Sequence, residues 1–124
     1  MKILLIDDDK DLCYLTRMAL TKHGYQVSAF HEATLGIKEA AREKPDLIFM
    51  DVMLPGMNGA EAVKILKKNP QLKDVPVVFL TALVDGTEKN SEDAGIVVDG
   101  LHYRTFGKPY EIEKLLGVVK KYIQ

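Results

Sequence analysis

Three aspartates, Asp7, Asp8 and Asp9, stand directly after the apolar run Ile3 to Ile6, and Asp51, Thr81 and Lys108 each follow another short apolar run. Carboxylates gathered in one pocket repel, raise one another's pKa and are costly to keep ionised unless a cation neutralises them. An oxygen-only ligand set with room for water suits Mg²⁺; zinc would want nitrogen or sulfur, and Ca²⁺ a more enclosed cage. A carboxylate beside such an ion can act as a nucleophile toward phosphorus, forming an acyl phosphate. In that chemistry Lys108 supplies a second positive charge, Thr81 donates its hydroxyl to a phosphoryl oxygen, and the small Ala82 leaves the approach open. Taken singly, each residue has an ordinary explanation. Asp9 is read as the cap of the following helix, Asp51 alone would pass for a loop aspartate, and Thr81 and Lys108 for solvated positions. Their joint placement at four strand ends is what favours the chemical reading.

The elements that must position them are legible as alternating short apolar runs and longer stretches of helical period, the signature of βα units with a parallel sheet. Five strands are expected, at Ile3 to Ile6, Gln26 to Phe30, Leu47 to Met50, Val77 to Leu80 and Tyr103 to Gly107. Continuous apolar runs mean strands covered on both faces, as in a doubly wound sheet. The first helix is expected to turn Leu12, Leu15, Ala19 and Leu20 inward and to end near Gly24. The second runs from Ala33 to Glu43 with Ile37, Ala40 and Ala41 inward, before Pro45. The third, Ala60 to Lys68, buries Ala62, Val63, Ile65 and Leu66, and the last, Glu111 to Ile123, buries Ile112, Leu115, Leu116, Val119 and Ile123. Between them Gly86, Gly95 and Gly100 break the pattern, and Ile96, Val97 and Val98 read as extended, so a fourth helix is expected to be short or irregular. With strand order 2-1-3-4-5, strands one and three are neighbours, and Asp7, Asp8 and Asp51 converge beyond the carboxyl edge where such sheets bind ligands.

At 124 residues, 47% of them apolar, the chain is sized for one domain, residues 1–124. Seventeen basic against 18 acidic side chains give a net charge of −1, so no positive field points to direct nucleic-acid binding. A single cysteine, Cys13, excludes an internal disulfide and reads as a small buried or half-buried hydrophobe rather than a reactive thiol. Neither a signal peptide nor a membrane span is recognisable, and a cytoplasmic protein is expected. His23, His31 and His102 lack ligand spacing and are assigned nothing, while Lys64, Lys67 and Lys68 read as a solvated helix end.

The segments LLIDDD (Leu4 to Asp9), IFMDVMLPGMNG (Ile48 to Gly59), VVFLTA (Val77 to Ala82) and GKPY (Gly107 to Tyr110) together resemble the receiver domain of two-component response regulators, over essentially the whole chain. The resemblance implies a flavodoxin-like, CheY-like fold of the single-domain type, and a signalling switch rather than a turnover enzyme. It implies that Asp51 is the phosphoacceptor, that Asp7, Asp8 and Asp51 hold Mg²⁺ with the backbone carbonyl of Met53, that Thr81 is the switch hydroxyl, and that Lys108 contacts the phosphoryl group. Pro109 is then expected to follow a cis peptide bond that aims Lys108 into the site. The implied phosphodonor is a histidine kinase or a histidine phosphotransfer protein, with small-molecule donors able to substitute, and the implied output is a change of binding to a downstream protein or onward relay of phosphate. A monomer is expected, with a weak phosphorylation-dependent dimer through the face from the fourth to the fifth helix as the alternative. Two departures stand out. The segment between Thr81 and Lys108 is several residues longer than usual and Gly-rich, and Thr105 replaces the aromatic normally three residues before the lysine, leaving Tyr103 or Phe106 to stand in.

A phosphatase with a nucleophilic aspartate on a similar sheet would need a second acid two positions later, where this chain has Met53. A flavin or nucleotide module would share the topology, but neither GxGxxG nor GxxxxGK[ST] occurs. Met1 so close to the first strand and an ending after the last helix favour a complete small protein over an excised domain. Met53 and Leu83, bulky apolar residues two positions after Asp51 and Thr81, are expected to shield the acyl phosphate from water. Replacing both with small polar residues should shorten the phosphorylated lifetime; a lifetime unchanged or longer rejects the shielding.

Overall fold

The computed structural model describes residues 1–82, 95–98, 100–108 and 110–122. Short apolar runs become the strands β1 (Lys2–Ile6), β2 (Gln26–Phe30), β3 (Leu47–Asp51), β4 (Val77–Ala82), β5 (Gly95–Val98) and β6 (Leu101–Lys108). The amphipathic stretches become α1 (Lys10–Lys22), α2 (Ala33–Glu43), α3 (Gly59–Lys68) and α4 (Ile112–Tyr122). The sheet order is β2-β1-β3-β4-β6-β5, with β5 antiparallel to β6 and every other pairing parallel. Apart from β5, this is the expected 2-1-3-4-5 order, the expected fifth strand being β6.

The added strand is where the structure departs from five parallel strands. Val97 and Val98 carry the β-branched side chains that favour extended backbone, and Gly100, at φ +80°, lets the chain reverse straight into β6. The segment expected to hold a short or irregular fourth helix thus ends as a hairpin arm; residues 83–94 lie outside the described residues, as do Leu83, Pro109 and Ile123. Among the described residues, no helix is long and apolar enough to cross a membrane.

Alternation along each strand feeds two cores. Leu4, Ile6, Ile48, Met50 and Phe79 face a layer built with Ala33, Ala40, Ala62, Val63 and Leu66 of α2 and α3. Ile3, Leu5, Leu47, Phe49, Val78 and Leu80 face the other, with Cys13 and Leu20 of α1 and Leu115, Leu116 and Val119 of α4. The central strand β3 is buried along its whole length, which is why its sequence is apolar without a break. α2 keeps its expected bounds, and Lys44 closes it in a left-handed conformation at φ 51° before Pro45.

α1 is rotated from its expected setting. Cys13, Thr16 and Leu20 point inward, while Leu15 is 60% exposed. Counting apolar residues misplaced the face because the buried Thr16 has a hydroxyl partner inside the protein, described below. Ile65 of α3 is likewise exposed.

The start of α3 sits directly under the end of β3. Asn58 caps the helix by accepting from the Glu61 N–H at 2.9 Å, and the Gly59 N–H donates to the Val52 carbonyl at 2.8 Å. A Cβ on Gly59 would lie 2.7 Å from the Asp51 carbonyl oxygen and 3.1 Å from Val52 Cα, two backbone atoms with little room to move. Gly59→Ala is therefore expected to destabilise the fold by about 2 kcal/mol, the scale of overpacking a close contact. Chemical denaturation checks this, and wild-type stability in the variant contradicts it.

Candidate functional site

The carboxyl edge of β1, β3 and β6 gathers charged side chains from residues far apart in sequence. Asp7, just beyond β1, is 1% exposed and is pinned by its N–H donating to the Phe30 carbonyl at 3.0 Å. Its Oδ1 accepts from the Asp9 N–H at 3.0 Å, while Asp9 caps α1 by accepting from the Leu12 N–H at 3.0 Å. Asp51, the last residue of β3, is 4% exposed, and its Oδ1 accepts from the Met53 N–H at 3.2 Å. Lys108, ending β6, reaches both carboxylates. Its Nζ lies 3.1 Å from Asp7 Oδ2 and 3.3 Å from Asp51 Oδ2. Asp8 is exposed, and carboxylate oxygens of Asp7, Asp8 and Asp51 lie within 4.8 Å of one another.

Burial and crowding set the electrostatics. Desolvation, and then the charge and hydrogen bonding of Asp7, push the Asp51 carboxyl up from 3.8 to about 7, against the pull of Lys108 and the Met53 N–H. For Lys108, burial disfavours the charged form, but the bonds to Asp7 and Asp51 outweigh it and raise its pKa. Among the described residues, one ammonium thus serves two buried carboxylates with a third close by, and net negative charge remains. The neighbouring Cys13 thiol is pushed up to about 12, by burial first and then by Asp7, so it offers no thiolate. Hard oxygen donors with excess negative charge fit a hard divalent cation rather than a soft one.

Sequence reasoning overlooked the residues that fix the Asp7 backbone. Cys13 Sγ donates to the Asp7 carbonyl at 3.4 Å, and His31 Nδ1 lies 3.0 Å from the same oxygen. Cys13 was findable, four residues after the capping Asp9 and so on the inward turn of α1; nothing in the spacing marked His31. Gly59, under Asp51, carries no signal in the sequence beyond its place at the end of IFMDVMLPGMNG.

Thr81 is half-buried, one residue past the Asp51–Leu80 pairing and opposite Gly107 of β6. It shares a sheet face with Phe79, and Tyr103 lies on that face too, meeting the Phe79 ring edge-on at 5.7 Å. Phe106 faces the opposite layer, against Tyr110. Of the two candidate stand-in aromatics, only Tyr103 is on the Thr81 side. Met53 sits in the loop after β3 with its side chain 75% exposed. The other half of the shield, Leu83, and the peptide bond before Pro109 lie outside the described residues.

Residues 3–120 match the family model of the response regulator receiver domain. Protein PilH of Pseudomonas aeruginosa is 35% identical over 88 residues, spanning 71% of this chain and 73% of its own. Response regulator PleD of Caulobacter vibrioides is 36% identical over 98 residues, spanning 74% of this chain but 22% of its own. This chain likewise spans about half, 49%, of the transcriptional regulatory protein YkoG of Bacillus subtilis, at 33% identity. Among solved structures, the Vibrio cholerae chemotaxis protein CheY4 superposes with a TM-score of 0.81 at 25% identity, covering 98% of both chains.

The raised pKa of Asp51 predicts a pH dependence for the metal-free protein. Between pH 3.8 and about 7 the folded state holds a proton that the unfolded chain has released, so stability falls as pH rises through that window. Asp51→Asn removes the buried charge and leaves Lys108 paired with Asp7. In the presence of a chelator, thermal unfolding is expected to show the variant more stable above pH 7 by about 1 kcal/mol after solvent screening, roughly 4 °C in Tm, and equal to wild type at the acid end of the window. A variant less stable than wild type above pH 7 contradicts this.

Proposed function

This chain belongs to the response regulator receiver domains of two-component signalling, and from that premise we propose that it accepts a phosphoryl group on Asp51 in a Mg²⁺-dependent reaction. The observation that carries the reading is the buried pair Asp7 and Asp51, bridged by Lys108, with Asp8 close beside it.

Asp51 is the nucleophile: its carboxylate oxygen forms the O–P bond of the acyl phosphate as the bond between phosphorus and the donor group breaks and that group leaves with its electron pair. Asp7, Asp8, Asp51 and the Met53 backbone carbonyl are the groups to hold Mg²⁺. When bound, that ion neutralises the carboxylates and the oxygens of the transferring group. Lys108 turns its ammonium to the phosphoryl group, and Thr81 donates its hydroxyl to a phosphoryl oxygen. Thr81 is drawn toward the phosphoryl group, which opens space on the Tyr103 side of the sheet, so a change of charge at Asp51 becomes a change of surface.

The donor is a histidine kinase or histidine phosphotransfer protein, and the phosphorylated form changes its binding to a downstream protein or relays phosphate onward. The protein works as a cytoplasmic switch that catalyses its own phosphorylation and dephosphorylation. The phosphatase alternative is disfavoured because Met53, with no proton to give, stands where the general acid would be needed.

Incubation with Mg²⁺ and acetyl phosphate, followed by intact mass, is expected to add one phosphoryl increment to the wild type. Neither Asp51→Asn nor wild type with chelator should gain it. The same increment on Asp51→Asn overturns the assignment of Asp51, and equal incorporation with chelator overturns the metal dependence.

A further inference from the structure

Thr16 lies mid-way along α1 and is fully buried. A buried hydroxyl requires a partner, and here the partner is the phenolic hydroxyl of Tyr110, 2.7 Å away, from the chain that follows β6. Tyr110 stands two residues beyond Lys108. Its ring packs on Phe106 at 5.6 Å between centroids, so aromatic anchors bracket Lys108 two residues before and two after. Three residues earlier on the same face of α1, Cys13 holds the Asp7 carbonyl. One helix therefore grips both Asp7 and the segment carrying Lys108, across 94 residues of sequence between Thr16 and Tyr110.

We propose that the Thr16–Tyr110 hydrogen bond is a clamp that sets the position of Lys108 relative to Asp7 and Asp51, and thereby the rate of phosphoryl transfer; it rests on the assignment of Asp51 above. Lysine carries its charge on a flexible four-carbon stem, so the backbone that bears it must be fixed if the ammonium is to stay placed. At 3.1 and 3.3 Å the Nζ contacts lie at the long end of the hydrogen-bonding range, and a small backbone shift removes one of them. A phenylalanine at position 110 would fill the same space, so what the Tyr110 hydroxyl adds is the bond to α1. Thr16 and Tyr110 are positioning residues; neither touches the reacting carboxylate in the structure.

The test compares Tyr110→Phe, Thr16→Val, the two together, and Thr16→Ser with wild type. Phosphate incorporation from acetyl phosphate at saturating Mg²⁺ is followed by intact mass, with Mg²⁺ affinity and thermal unfolding measured on the same samples. Each of the first two variants is expected to react about fivefold more slowly, the rate equivalent of one net hydrogen bond, with Mg²⁺ affinity unchanged. Thr16→Ser keeps the hydroxyl and the rate. The double variant leaves no orphaned hydroxyl and so regains stability, yet stays slow, which separates positioning from folding. If the single variants fail to fold, the double variant carries the comparison. In a Lys108→Ala background, Tyr110→Phe is expected to cause no further slowing. The clamp is overturned if the rate recovers with stability in the double variant, if Tyr110→Phe slows the Lys108→Ala protein as much as wild type, or if folded variants react at the wild-type rate. A wild type that takes up no phosphate overturns the Asp51 assignment and the clamp together.

Discussion

Two carboxylates buried within reach of the Lys108 ammonium are the arrangement on which the rest of this molecule depends. Asp7 and Asp51 are almost inaccessible to water, and among the described residues Lys108 is the cation that stands between them. Isolated, either charge would be expelled or neutralised at that depth. Lys108 offsets part of that cost, and burial, with the repulsion left between the two, gives Asp51 a proton affinity far above that of a free carboxyl. A site poised in this way responds strongly to any change of charge, whether by a divalent cation or by a phosphoryl group.

The doubly wound sheet makes such a concentration of charge tolerable. Apolar alternation on β1, β3 and β4 fills two separate layers, so the polar residues are forced out at the strand ends, all on one edge. There the backbone is held by local devices: the Asp9 cap on α1, the Gly59 contact beneath Asp51, and the Cys13 and His31 bonds to Asp7. None of these is chemical in itself. They fix the carboxylates so that repulsion is not relieved by movement.

Much of this was legible in the sequence because strand ends and helix periods are local patterns. Asp7, Asp51 and Lys108 fall where apolar runs stop, and right-handed crossovers then bring them together. What was not legible depends on distant partners. Nothing local marks Thr16 as an inward residue, because the bond that satisfies it inside comes from Tyr110, far along the chain; Leu15 then turns outward although its apolarity argues otherwise. Likewise Val97 and Val98 read as extended, but their pairing with β6 required knowing that Gly100 reverses the chain. The choice between Tyr103 and Phe106 needed the register of β6 against β4, which places Tyr103 with Phe79 and Phe106 with Tyr110.

Calorimetric titration with Mg²⁺ addresses the central claim most directly, since it asks whether the buried carboxylates act as one cation site. Binding of one Mg²⁺ per chain, weakened at least about tenfold in Asp7→Asn, is the result this account predicts. Affinity undiminished in Asp7→Asn, or no binding by the wild type, would contradict it.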